Sequence, residues 1–258
     1  MNRWLRPLTE LSFITSNRLP IPHGFSTRLG GVSIGPYESL NLGFAVGDLK
    51  QRVEANFERF LQMASLKKEQ LGTVSQVHSD RVLEFGAQES DPIEHPPADA
   101  LWTERSRLAV AVKTADCVPI LLADPAGKRI AAVHSGWRGT ELRVTQRVVE
   151  ALARRGSRPE EMIAVIGPSI RTCCYHVSPS LAERFANSFG EAVVQGDPTE
   201  PRLDLTLAIH RTLWEAGVPM DHIDVLSHCT SCDEYNFFSH RRDRGITGRH
   251  VSYIVCQF

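Results

Sequence analysis

A mixed α and β fold of ordinary globular proportions is what this chain predicts, on three observations. Leu108 to Val112, Val118 to Ala123 and Arg129 to Val133 are apolar runs rich in valine, isoleucine and alanine, and read as strands buried on both faces. Other segments carry apolar residues at helical spacing. The composition, 42% hydrophobic and 23% charged, is that of a soluble globular protein. With 258 residues the chain can bury a full core, as one large domain or two small ones.

The same numbers exclude several classes. A formal net charge of −1 gives no bulk attraction to nucleic acid or to an anionic membrane. No run approaches the roughly 18 apolar residues that span a bilayer. Residues 1–17 read as a lead-in without a signal peptide's apolar region, so the expected location is cytoplasmic. In a reducing compartment the six cysteines are expected as free thiols or metal ligands rather than a disulfide framework. No feature sets the oligomeric state.

Taken in order, residues 18–47 are rich in glycine and proline and predict a loop. It is either a coiled lead into the fold or a substrate loop in which Arg28, beside Ser26, Thr27 and Gly30-Gly31, presents a cation to an anion. Gln51 to Ala64 carries Val53, Phe57, Phe60, Leu61 and Ala64 on one helical face and is assigned packing alone. Thr73 to Val77 and Arg81 to Phe85 read as short strands around His78-Ser79-Asp80. Glu89 to Ala98 reads as a proline- and acid-rich surface loop within the domain.

The central strands follow. Cys117 and His134 lie at their margins, where stiff scaffold meets open ends, with an Asp124-Pro125-Ala126-Gly127 turn between. Gly136-Trp137-Arg138-Gly139 reads as a basic loop leading into a helix over Thr140 to Arg155. The N–H groups at a helix start and the Arg138 charge suit a phosphate or carboxylate. Gly156 stops that helix. Met162 to Ile166 is a further buried strand.

Cys173 and Cys174 are adjacent, cannot readily chelate one metal together, and read as structural. Ser178 and Pro179 cap a helix to about Phe189. Asp204 to Ala216 is another helix, and Ile223 to Leu226 a strand. Cys229 and Cys232 form a CxxC, which is half of a zinc pattern without a second half. Phe237 to His250 sets arginines beside aromatics. It reads either as a site for an anionic or nucleoside-like ligand or as a solvated basic loop. Val251 to Phe258 closes as a strand.

His78, Cys117 and His134 together make a His/Cys/His set drawn from three strand ends. Imidazole and thiolate suit zinc, and also copper. Three protein ligands leave a fourth position for water or substrate. The spacings of 39 and 17 residues are not themselves a chelating motif. A zinc there could supply hydroxide near neutral pH or orient a phosphate. A Cys117 thiolate nucleophile with a histidine base is the third option.

Several segments resemble a known family. His78 in SQVHSDRV, TADCVPILL at 114–122, AAVHSGWRGT at 131–140, IGPSI at 166–170 and FFSHRRDRGITGRH at 237–250 match the YfiH pattern, as do HGFSTRLGGVS and SLNLG. This is the laccase-domain, polyphenol oxidase or peptidoglycan editing factor family. Departures are small: Ser135 stands where alanine is common and His240 where tyrosine is common. The resemblance implies one α+β domain over residues 1–258, with layered mixed β-sheets and outer helices, a cysteine-hydrolase-like fold. It implies a metal, usually zinc, on the residues corresponding to His78, Cys117 and His134.

The activity so implied is a zinc-dependent purine nucleoside phosphorylase using adenosine, inosine or methylthioadenosine, with adenosine deaminase side activity. Its partners are small molecules, a purine nucleoside and phosphate. Arg28, Arg138 and Arg249 are the expected phosphate or substrate contacts. Asn41 either bonds ribose or base, or holds its own turn. The alternatives are a copper-dependent polyphenol oxidase, an amidase editing cell-wall precursors with Cys117 as nucleophile, and a non-enzymatic metal-dependent binding module.

Overall fold

In the strand Val118–Asp124, alternate side chains serve two cores. Leu121 and Ala123 pack with Phe25, Val110, Val112 and Ile254. Ile120 and Leu122 pack with Val148, Leu152, Ile209 and Leu213. Full burial of such side chains stabilises by roughly 1.5–3 kcal/mol each. A strand hidden on both faces therefore carries a continuous apolar run, as its sequence does.

The computed structural model describes residues 12–86 and 96–258. Its larger sheet has six strands in the order Ile223–Val225, Ile163–Ile166, Val118–Asp124, Arg129–Ser135, Ala100–Thr103 and Val82–Glu84. The outer pairs are parallel and the central ones antiparallel. The second sheet has five strands, Phe13–Ile14, His23–Ser26, His250–Val255, Ala109–Thr114 and Leu71–Gly72. The two sheets bury one core between them. Helices Val144–Arg154, Pro179–Phe189 and Leu205–Glu215 cover the outer face of the first sheet. Helix Lys50–Met63 covers the second through Phe60 and Leu61. The result is an α+β fold of layered mixed sheets with outer helices, as expected.

The starts of Pro179–Phe189 and Leu205–Glu215 are both capped, by Ser178 as expected and by Asp204, which the sequence reading counts as a residue of the helix itself. Ser178 Oγ accepts the Leu181 N–H at 3.3 Å, and Asp204 Oδ1 accepts that of Leu207 at 2.9 Å.

Four expectations change. Thr73 to Val77 is not a strand beyond a single bridge from Ser75 to Pro97. The Gln76 side chain takes a strand's place, pairing both backbone groups of Lys113 at 2.7 Å each. The helix expected over Thr140 to Arg155 is two, Trp137–Glu141 and Val144–Arg154, broken at Arg143 with φ 58°. The Arg143 guanidinium holds the break by reaching Glu215 Oε2 and Ser188 O. Gly136 to Gly139 is thus a helix start and not a loop. Residues 18–47 contain the buried strand His23–Ser26, and Phe13–Ile14 of the lead-in pairs with it. The strand Ala100–Thr103 went unforeseen because four residues are too few for a periodicity.

Lys50–Met63 also does more than pack. Buried Asn56 donates to Ser33 Oγ, Ser39 O and Asn41 O and accepts the Val32 N–H, tying the glycine-rich segment to the helix. The rest of the lead-in, residues 1–11, and most of the acidic loop, residues 89–95, lie outside the described residues.

Candidate active site

The ends of two central strands and an adjoining segment bring three side chains to one point. Candidate ligand atoms of His78, Cys117 and His134 all lie within 4.8 Å of one another. His134 is the penultimate residue of the strand Arg129–Ser135, and Cys117 precedes Val118–Asp124, its hairpin partner. His78 comes from the irregular segment beside them, with φ 60°. A non-glycine residue in that region needs support from its surroundings.

Asp99 supplies that support. It is fully buried. Its Oδ1 accepts the His78 N–H at 3.0 Å, and its Oδ2 accepts the Ser79 N–H at 2.6 Å and hydroxyl at 2.8 Å. The same Oδ1 lies 2.8 Å from His134 Nδ1. His134 therefore offers Nε2 to the cleft, with its ring orientation set by a carboxylate, as in metal sites whose histidines are oriented from behind. Burial would raise the Asp99 carboxyl, but its bonds to His134 and Ser79 outweigh burial and hold it at about 2.

Burial also opposes charge on Cys117 and His134, yet their mutual attraction prevails. The His134 charge and hydrogen bonds from both histidines lower the Cys117 thiol to about 6. Cys117 and Asp99 raise His134 to about 9. The protein alone thus favours a thiolate, the form that ligates metals and attacks electrophiles. Gly136 closes against this cluster. A Cβ there would lie 2.9 Å from Cys117 Sγ and 3.2 Å from His78 Cδ2.

The three side chains open into a cleft of about 730 Å³. Lys113, Arg138, Arg241 and Arg249 line it, with Phe44 and Tyr175 as aromatic walls. The Lys113 ammonium lies 5.9 Å from the centre of the Phe44 ring, and burial lowers its pKa. Arg249 donates to the Thr247 and Gly248 carbonyls, and Arg138 stacks on Trp137 at 4.4 Å. Asp116, φ 84°, accepts from Thr230 Oγ1, Ser239 Oγ and the Arg241 N–H, which fastens the arginine-bearing segment beside Cys117.

Five of the seven expected site residues therefore meet: His78, Cys117, His134, Arg138 and Arg249. Arg28 does not line the cleft. Its guanidinium donates to Glu38 O and Glu234 O and lies over Phe238 at 4.6 Å. Asn41 is fully buried behind the wall. Its Oδ1 accepts the Gly43 and Arg249 N–H groups and its amide donates to Asp48, so it holds its turn and positions Arg249. Asp99, Lys113 and Asp116 escaped the sequence reading as site residues, and Arg241 entered it only within the arginine-bearing segment Phe237 to His250. Asp99 carried one available signal, an acid standing alone between a proline pair and an apolar segment.

Residues 22–257 match the family model described as multi-copper polyphenol oxidoreductase laccase. The purine nucleoside phosphorylase YlmD of Geobacillus stearothermophilus is 35% identical over 243 residues, covering 90% of this chain and 88% of that one. A purine nucleoside phosphorylase of Deinococcus radiodurans is 38% identical over 241 residues, covering 93% and 90%. The crystal structure of YlmD from Geobacillus stearothermophilus superposes with a TM-score of 0.86 at 32% identity, covering 95% of this chain and 99% of that one.

Proposed function

The chain belongs to the multi-copper polyphenol oxidoreductase laccase family, and we propose that it is a metal-dependent purine nucleoside phosphorylase. Its substrates are adenosine and inosine, with methylthioadenosine phosphorolysis and adenosine deamination as further activities of the same site. The observation that carries this reading is the convergence of His78, Cys117 and His134 in a cleft walled by four cations and by the rings of Phe44, Trp137 and Tyr175.

The residues fit a metal. Two imidazoles and a thiolate are a zinc donor set that leaves an open position. Asp99 orients His134, and Gly136 leaves the space a side chain would take. His78, Cys117 and His134 would hold the ion. When bound, it supplies Lewis acidity toward an oxygen of phosphate or water. We favour zinc over copper, because the metal-capable groups among the described residues contain only two histidines, too few for a cluster of coppers.

The chain's own groups account for binding and orientation. Lys113, Arg138, Arg241 and Arg249 neutralise phosphate and aim it into the cleft. Phe44 and Tyr175 offer faces for the purine. In phosphorolysis a phosphate oxygen bonds to the anomeric carbon as the glycosidic bond breaks. The purine leaves with the bonding pair and takes a proton. Holding both reactants in one cleft is the main contribution asked of the protein. We place the enzyme in the cytoplasm, acting as one domain over residues 1–258.

The test gives zinc-loaded protein adenosine or inosine with and without phosphate. Phosphate-dependent release of adenine or hypoxanthine is expected, with inosine formed slowly from adenosine. Absence of free base under both conditions refutes the reading. The contact of Cys117 with His134 supports one second reading, acyl transfer by a Cys117 nucleophile on cell-wall precursors. Its mark is a trapped acyl-enzyme in metal-free protein.

A further inference from the structure

Four cysteines outside this site converge at a second point. Cys173 and Cys174 lie in the turn between Ile170 and Tyr175, both of which line the cleft. Cys229 and Cys232 lie in the turn that runs beside it. The two turns are zipped together: Thr230 N–H donates to Ser169 O at 3.0 Å, and Ser169 N–H to His228 O at 3.3 Å.

The four sulfurs all lie within 4.8 Å of one another. Cys232 Sγ is 3.3 Å from Cys173 Sγ and 3.2 Å from Cys174 Sγ. In a tetrahedral zinc site with bonds of about 2.3 Å, sulfurs stand about 3.8 Å apart. The two contacts of Cys232 fall about 0.5 Å short of that figure, and all four sulfurs lie within one ion's reach of each other. A disulfide needs sulfurs at about 2.05 Å, and Cys232 stands more than 3 Å from each of the adjacent pair, near equally, as a shared ion and not a single bond would place it. Neighbouring residues on an extended strand point to opposite sides. Here the chain turns, with the Cys174 and Tyr175 N–H groups both bonded to Arg171 O, so both sulfurs face Cys232.

We propose that Cys173, Cys174, Cys229 and Cys232 form a second metal site, a closed structural zinc site separate from the cleft. Four thiolates leave no open position, which marks a structural and not a catalytic role. The surroundings suit the excess negative charge. The Arg171 N–H donates to Cys229 Sγ at 3.4 Å, and the Arg171 guanidinium interacts with Cys229 and Cys173. Zinc would pin the Tyr175 turn to the 229–232 turn. Thr230 in the latter holds Asp116, which also takes the Arg241 N–H, so the clamp would stiffen the cleft wall.

The test is independent of the proposed activity. Zinc is counted per chain, under reductant, in Cys117→Ala, which removes a ligand of the first site. One zinc per chain is expected to remain, and adding Cys232→Ser or Cys229→Ser is expected to remove it. Cobalt loaded in its place should show tetrahedral bands and thiolate charge-transfer absorption in Cys117→Ala, both lost in the double variants. Circular dichroism of each double variant checks that loss of metal is not loss of fold. No zinc in folded, reduced Cys117→Ala overturns the proposal. So does a cobalt spectrum indifferent to Cys232→Ser, or a Cys232 disulfide in protein isolated without oxygen.

Discussion

Asp99 Oδ1 lies 2.8 Å from His134 Nδ1 and also takes the backbone N–H of His78 at 3.0 Å. One buried carboxylate thus orients one proposed metal ligand through its side chain and another through its backbone. Asp99→Asn keeps the shape but loses the charge that holds His134. It is expected to weaken zinc binding about 10- to 100-fold, the usual cost of losing such a partner. Competition with a chelating dye measures it. Unchanged affinity would mean the carboxylate serves the fold alone.

Gly136 gives a steric test of the same point. Its φ of −79° is open to any residue. An alanine there strains no backbone, yet its Cβ would lie 2.9 Å from Cys117 Sγ. Gly136→Ala is expected to lower zinc affinity and phosphorolysis at least tenfold with an unchanged circular dichroism spectrum. A fully active alanine variant would show that Cys117 can move without cost.

The arginines divide by position. Lys113→Met and Arg249→Ala each remove a cation from the cleft wall. Hydrogen bonds to charged groups contribute about 1.5–3 kcal/mol, so KM for phosphate is expected to rise about 10- to 100-fold. Arg28 instead bonds the Glu38 and Glu234 carbonyls. Arg28→Ala is expected to cost about 1–3 kcal/mol of stability in urea and to leave KM for phosphate unchanged. A phosphate effect of Arg28→Ala equal to that of Arg249→Ala would return Arg28 to the substrate contacts.

His250 sets an acid limit to stability. Burial lowers its imidazole to about 3, helped by the charges of Arg28, Arg249 and Arg242. It stays neutral and accepts the Phe238 N–H at 3.0 Å. Below pH 6.5 the unfolded chain binds a proton that the folded chain refuses, so stability falls as pH drops toward 3. One proton gives a slope of up to about 1.4 kcal/mol per pH unit. Urea titrations between pH 7.5 and 4 should show this slope, reduced in His250→Asn. Equal slopes in the two proteins would rule His250 out as its source.

The elements of the molecule differ in how far their sequence discloses them. The strands Val118–Asp124 and Arg129–Ser135 are legible because burial on both faces demands an unbroken apolar run. The helices Pro179–Phe189 and Leu205–Glu215 are legible because Ser178 and Asp204 cap them locally. The break at Arg143 is not legible, since its partners Ser188 and Glu215 lie far along the chain. Although His78 lies in an irregular segment, the proposed ligands stand out by residue type, and Cys117 and His134 also by their position at strand ends. Asp99 does not, because its neighbours in sequence say nothing of the two histidines it meets.

By itself, then, the sequence determined most of the elements, which follow from local pattern, while the layered α+β class and the weight given to a His/Cys/His donor set came from its resemblance to a family. Only the tertiary structure decided that these donors share one point, that Lys113 and Arg241 join Arg138 and Arg249 in one cleft, and that Arg28 and Asn41 stand outside it. Convergence of side chains from separate strands depends on register and on sheet stacking. Those are set by packing across the whole core, and no window of sequence contains them.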